Sequence, residues 1–134
     1  MRKDIGLNVD MDMDSKKVII GQLLFVQNLA QLRHWYTSSY AEHVALQEFY
    51  SVLNSLIDSL AELVVKDNSS GCMFNIPSAY TSMVKEDGRI LVYIDQLKEM
   101  LLSTEGKWSR AENNVIDDIL TLVGTLEYKI KNLV

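Results

Sequence analysis

Two histidines and two carboxylates carry the chain's chemical interest. His34 and His43 are its only histidines. Asp58 and Glu62 follow, four residues apart, a spacing that puts both on one face of a helix. Neutral imidazole with carboxylate is a nitrogen and oxygen donor set that suits iron, zinc or manganese. Gln47 stands four residues after His43, with Glu48 next to it, placed to orient such ligands through hydrogen bonds rather than to bind the metal. Each group also has an ordinary reading. Asp58 and Glu62 suit a solvated acidic face, His43 a helix start, and His34, beside Trp35, a hydrogen-bonded core histidine.

On one straight helix, His34 and His43 would stand about 180° apart around the axis and ~13 Å apart along it. The segment "TSSYAEH" between them breaks that helix. Ser39-Tyr40-Ala41-Glu42 fits a capping box, in which the serine hydroxyl takes an orphan N–H and the glutamate reaches back to the cap residue. A turn at 37–39 therefore puts the histidines on two helices that fold against each other. His43 and Asp58 point broadly the same way but lie roughly 22 Å apart along the second helix. One chain cannot bring them to one ion. Two copies packed antiparallel about a two-fold axis near residue 51 can, and Ser51 and Ser55 are small enough to let the helices approach. Such an isologous dimer has two identical sites, each mixing imidazole from one chain with carboxylates from its partner. The in-chain di-iron bundle needs two Glu-x-x-His motifs, and this sequence has none.

The rest of the chain supplies the helices. With one proline and six glycines in 134 residues there are few breakers. Residues 1–14 read as an N-terminal arm, in which Asp10, Asp12 and Asp14 are solvated or take a cation. A first helix is expected from about Lys16 to Tyr36, capped by Asp14 or Ser15. Its apolar stripe is Val18, Phe25, Leu29, Leu32 and Tyr36, widened by Leu23 and Val26. A second runs from Tyr40 to about Lys66. Residues 67–79 form a crossover, and Pro77 opens a third helix that "EDGR" at 86–89 interrupts or restarts. Leu91, Ile94, Leu97 and Leu101 carry that helix to about Ser103. A second capping box, Ser109 to Glu112, opens a fourth with the stripe Val115, Ile119, Leu122, Leu126 and Ile130. Lys129 and Lys131 in its last turn suit the helix dipole. The expected architecture is all-α, a four-helix bundle over residues 15–134.

Composition bounds the rest. A net charge of −5 argues against a general nucleic-acid binder, and no apolar run reaches the roughly 18 residues of a membrane span. Cys72 is the single cysteine, so no disulfide framework exists and a reducing cytoplasm is the simplest compartment. The N-terminal segment has no signal-peptide apolar core.

The pattern "HW…H…D…AE" resembles the Dps family of ferritin-like mini-ferritins, and "TSSYAEHVAL" resembles short Dps-like proteins of bacteriophages. The similarity is best over about residues 23–64. The resemblance implies a ferritin-like bundle and a ferroxidase-type site between subunits. His34, in the histidine–tryptophan pair, and His43, early in the second helix, would be ligands from one chain. Asp58 and Glu62 would be ligands from the partner. Gln47 stands where the family often has an acidic residue, Leu63 where it usually has arginine, and the histidines are nine apart rather than twelve. The implied activity is oxidation of Fe(II) by peroxide or oxygen, with Fe(III) sequestered in a homo-oligomer. The alternative is a helical binding or structural protein that keeps the fold without the chemistry.

Overall fold

A computed structural model of the protein describes residues 11–67 and 90–133. The expected helix at Pro77, the crossover at 68–79, the break at 86–89, Cys72 and the first ten residues lie outside the described residues. Within them the fold is all-α, four helices without a strand. Helix α1 spans Met13–Tyr36, α2 Tyr40–Asp67, α3 Ile90–Ser103 and α4 Arg110–Lys131. None is long and apolar enough to cross a membrane.

Among the described residues, each helix packs on two neighbours: α1 on α2 and α3, and α4 on α2 and α3. This leaves α2 and α3 at diagonal corners, so the bundle is not a simple up-and-down meander. Side-chain pairs give the directions. Lys16 meets Glu112 at 2.7 Å, which puts the starts of α1 and α4 at one end. Glu48 meets Lys129 at 2.8 Å, which puts the start of α2 beside the end of α4. Phe25 packs edge-on against Tyr93, ring centroids 5.6 Å apart, part-way along α1 and α3. The α2 helix therefore ends at the end of the bundle opposite to where α3 begins, and residues 68–89 must join the two. One long crossover between two antiparallel helix pairs is the connectivity that results.

The α2 helix reads its burial directly from the sequence. Leu46, Phe49, Leu53, Ile57, Leu60 and Val64 recur at three- and four-residue steps, and all are buried. Each such side chain contributes about 1.5–3 kcal/mol on removal from water. The α1 helix differs from expectation. It begins at Met13 with Asp12 as its cap, rather than near Lys16. The backbone N–H of Met11 already bonds the carbonyl of Lys107, so the end of the expected arm belongs to the fold. The middle of the expected stripe, Leu23, Phe25, Val26 and Leu29, is buried, but its ends Val18 and Tyr36 are exposed, and Ile19, Ile20 and Ala30 join the core instead. Residues 18–32 carry no charge at all. With apolar side chains beyond that face as well, periodicity alone does not set the edges of the stripe. In α3 the buried stripe starts at Ile90 rather than Leu91. In α4 it runs through Ile116, Ile119, Val123 and Leu126, with Val115, Leu122 and Ile130 only packed against its edge.

The α3–α4 link is built tightly. Gly106 has φ +79, a left-handed conformation that favours glycine. The Trp108 indole is buried and donates to the Thr104 hydroxyl at 2.8 Å. The capping box at Ser109 and Glu112 is complete, as its sequence predicts. Higher up, a hydrogen bond with Asp95, and then the Lys98 ammonium, hold the Glu127 carboxyl below the ordinary glutamate range.

Candidate metal centre

The turn expected between the histidines is present: α1 stops at Tyr36 and α2 starts at Tyr40. Its capping box is only half made. The amide of Glu42 donates to the Ser39 hydroxyl at 3.2 Å. The Glu42 carboxylate does not reach back to the Ser39 amide, which donates to the Thr37 hydroxyl instead. Glu42 accepts from Thr37 and faces Arg33 at 3.4 Å. The acid thus ties the end of α1 to the start of α2.

That closure brings the two histidines together. Their rings stack with centroids 3.7 Å apart and planes 22° apart. Nδ1 of His34 lies 2.8 Å from the carbonyl oxygen of His43, and Nδ1 of His43 lies 2.9 Å from the carbonyl oxygen of His34. A carbonyl only accepts, so each Nδ1 carries a proton and donates. His43 thereby satisfies a carbonyl in the last turn of α1, one of the helix's orphan acceptors. His34 is 7% exposed, with Tyr50 edge-on at 5.3 Å, while Tyr40 stacks outside His43 at 6.3 Å. The aromatic flanks were not singled out by the sequence reading. Tyr50 lies seven residues after His43, two helical turns on the same face, and that spacing was the available signal.

This geometry fits metal binding at one atom per ring. A ligating histidine commonly donates its other ring N–H to a backbone carbonyl, which fixes tautomer and orientation. Nε2 is then the remaining donor of each imidazole. Lone pairs lie in the ring planes, so two nearly parallel rings 3.7 Å apart do not direct both Nε2 atoms at one ion.

The other four expected residues lie elsewhere. Asp58 and Glu62 are exposed on the outer face of α2, and neither has a hydrogen bond or ion pair among the described residues. Gln47 is exposed on the same side. Glu48 faces α4, where Lys129 takes it, so it does not support the histidines. Among the described residues, no three His, Cys, Asp or Glu side chains of one chain converge on a point where they could hold a metal.

Residues 34–130 match a family described as a family of unknown function, DUF5856. The chain belongs to the DUF5856 family. The match opens at His34 and spans His43, Asp58 and Glu62. No curated protein and no solved structure matches the chain.

Proposed function

We propose that this DUF5856 protein is a Dps-like, ferritin-fold iron-binding protein whose ferroxidase-type site lies between two copies paired through α2. His34 and His43 bind iron through Nε2, and the partner's Asp58 and Glu62 supply negative charge and bridge the ions. The observation that carries the reading is the reciprocal pair of Nδ1–H bonds to backbone carbonyls. It orients both imidazoles and leaves both Nε2 atoms for a metal. The single-crossover connectivity of the bundle supports a ferritin-like fold. The unpaired, exposed carboxylates suit a role that a second chain completes.

In this reading Fe(II) is the substrate. Each of two Fe(II) ions gives up one electron, and a peroxide takes both with two protons to leave two waters. The Fe(III) is then sequestered within the assembly. Zinc or manganese would compete for the same donors. A protein of net charge −5 gives no reason to include DNA. The test is anaerobic Fe(II) titration followed by peroxide, with metal analysis. Saturable binding that His43→Ala and Glu62→Ala each abolish is the expected result. No binding, or binding indifferent to both changes, overturns the proposal.

One observation favours a second reading, a helical scaffold without metal chemistry. The histidine pair already satisfies itself, joining α1 to α2 without any ion. In that case His43→Ala lowers stability while no metal is bound at all.

A further inference from the structure

A helix that packs on two neighbours leaves its far side to solvent, and α4 does so: Asp117, Asp118, Thr121 and Thr125 are exposed along it. Helix α1 also packs on two neighbours among the described residues, yet none of its residues from 19 to 34 is exposed. Gly21, Leu24, Asn28 and Leu32 recur at three- and four-residue steps on the side opposite Leu23, Val26 and Ala30 of the core. Gly21 is buried and the other three are half-buried. Exposure returns only at Trp35 and Tyr36, 63% and 77%. Neither α2 nor α3 accounts for that cover.

We propose that this side of α1 is an internal docking surface, and that residues 68–89, which join α2 to α3, run along it rather than over α4. The ends of the connection fix its course. Helix α2 is longer than α1, 28 residues against 24, so Asp67 passes the start of α1. Phe25 meets Tyr93 on the antiparallel α3, so Ile90 stands level with about residue 28 of α1. The connection therefore climbs roughly 25–30 Å, at ~1.5 Å for each residue of α1 that it passes. Because α2 and α3 are diagonal, it climbs over either α1 or α4. Trp35 and Tyr36, where exposure returns, lie beyond the level at which α3 begins.

Charge decides between the two helices. Residues 68–84 carry no charge, and neither do 18–32 of α1. Met73, Phe74, Ile76, Met83 and Val84 give the connection apolar side chains to bury. Over α4 those residues would strip water from Asp117 and Asp118 and offer no cation in return, which costs free energy. Over α1 they meet Leu24 and Leu32, with the charged Lys17 and Arg33 only at the two ends of the stripe. This course leaves the outer side of α2, where Asp58 and Glu62 are exposed, free of the chain's own cover.

The test uses the full chain stripped of metal with chelator, so it does not depend on iron. Cys72→Ser removes the single native thiol, and one cysteine is then placed at a time. A charged maleimide should modify Leu24→Cys and Asn28→Cys about tenfold or more slowly than Asp118→Cys on α4, because the α1 sites react only when the cover opens. The rates should not change between about 1 and about 100 µM protein. A short bismaleimide should join Ser78→Cys to Asn28→Cys within one chain, read as a product of single-chain mass, and should not join Ser78→Cys to Asp118→Cys. Circular dichroism checks that each variant folds, and Leu24 and Asn28 serve as independent sites. Fast modification of both α1 cysteines, or cross-linking to Asp118→Cys in place of Asn28→Cys, overturns the inference. So does protection that dilution removes, which would make a second copy the cover.

Discussion

Glu112 is fully buried at the start of α4, where one carboxylate oxygen accepts from Lys16 at 2.7 Å and from the Ser109 amide at 3.0 Å. Its other oxygen is buried without a hydrogen-bond partner. Lys16 also stands over the Trp108 ring, 5.7 Å from its centroid. A buried ion pair is costly to break from one side, because the remaining charge is left uncompensated. Lys16→Met should therefore destabilise by about 3–5 kcal/mol in urea denaturation, and adding Glu112→Gln should recover most of the loss. His34 calls for a different pair of changes. His34→Ala removes a buried ring and a hydrogen bond together and should cost about 2–4 kcal/mol, whereas His34→Phe keeps the packing and should cost less. At Asp12 the backbone N–H of Ser15, 2.8 Å away, holds the carboxyl below the ordinary aspartate range. A depressed carboxyl stabilises the fold above its unfolded value and loses that contribution as pH falls through its folded value. Amide exchange at Ser15 should accordingly accelerate on acidification below the usual aspartate range, and Asp12→Asn should flatten that dependence.

Among the elements, α2 divides its work by face. Phe49 is buried against the other helices, and Phe49→Ala should cost about 3–5 kcal/mol. Asp58 and Glu62 are exposed, so Asp58→Asn and Glu62→Gln should change thermal or urea stability by no more than about 0.5 kcal/mol. A large loss at either acid would mean that it is structural rather than a ligand in waiting. The same face division explains what the sequence made legible. The start of α2, its apolar stripe, the turn at 37–39 and the capping box at Ser109 all announce themselves through residues with one strong local preference. In α1 the middle of the stripe, Leu23, Phe25, Val26 and Leu29, was legible, but its ends at Val18 and Tyr36 were not, because residues 18–32 carry no charge to mark the outer edge. The cap at Asp12 was missed because three aspartates alternate at 10, 12 and 14, and each has the same local chemistry. At the candidate site, the sequence separated the histidines onto two helices, but not the stacking or the reciprocal carbonyl bonds. Those depend on how α1 and α2 pack, and Glu48 was drawn away by Lys129, a residue eighty-one positions distant.

For the whole molecule, the proposed site asks each chain to supply only half of the ligands. The imidazoles sit at one end of α2, while the carboxylates lie toward the other, roughly 22 Å along the helix. A functional site between copies makes a demand that no single-chain site makes: the two halves can be damaged in different chains and restored by mixing. In an isologous pair formed from His43→Ala and Glu62→Ala chains, one site carries both changes and the other carries neither. Anaerobic Fe(II) titration of the two variants, alone and after equal mixing and subunit exchange, is the most direct test. The expected result is no binding by either variant alone and recovery of about a quarter of the wild-type sites in the mixture, since half the pairs are mixed and each has one intact site. A mixture that binds no more iron than the separate variants, with mixed pairs shown to have formed, would contradict a shared site.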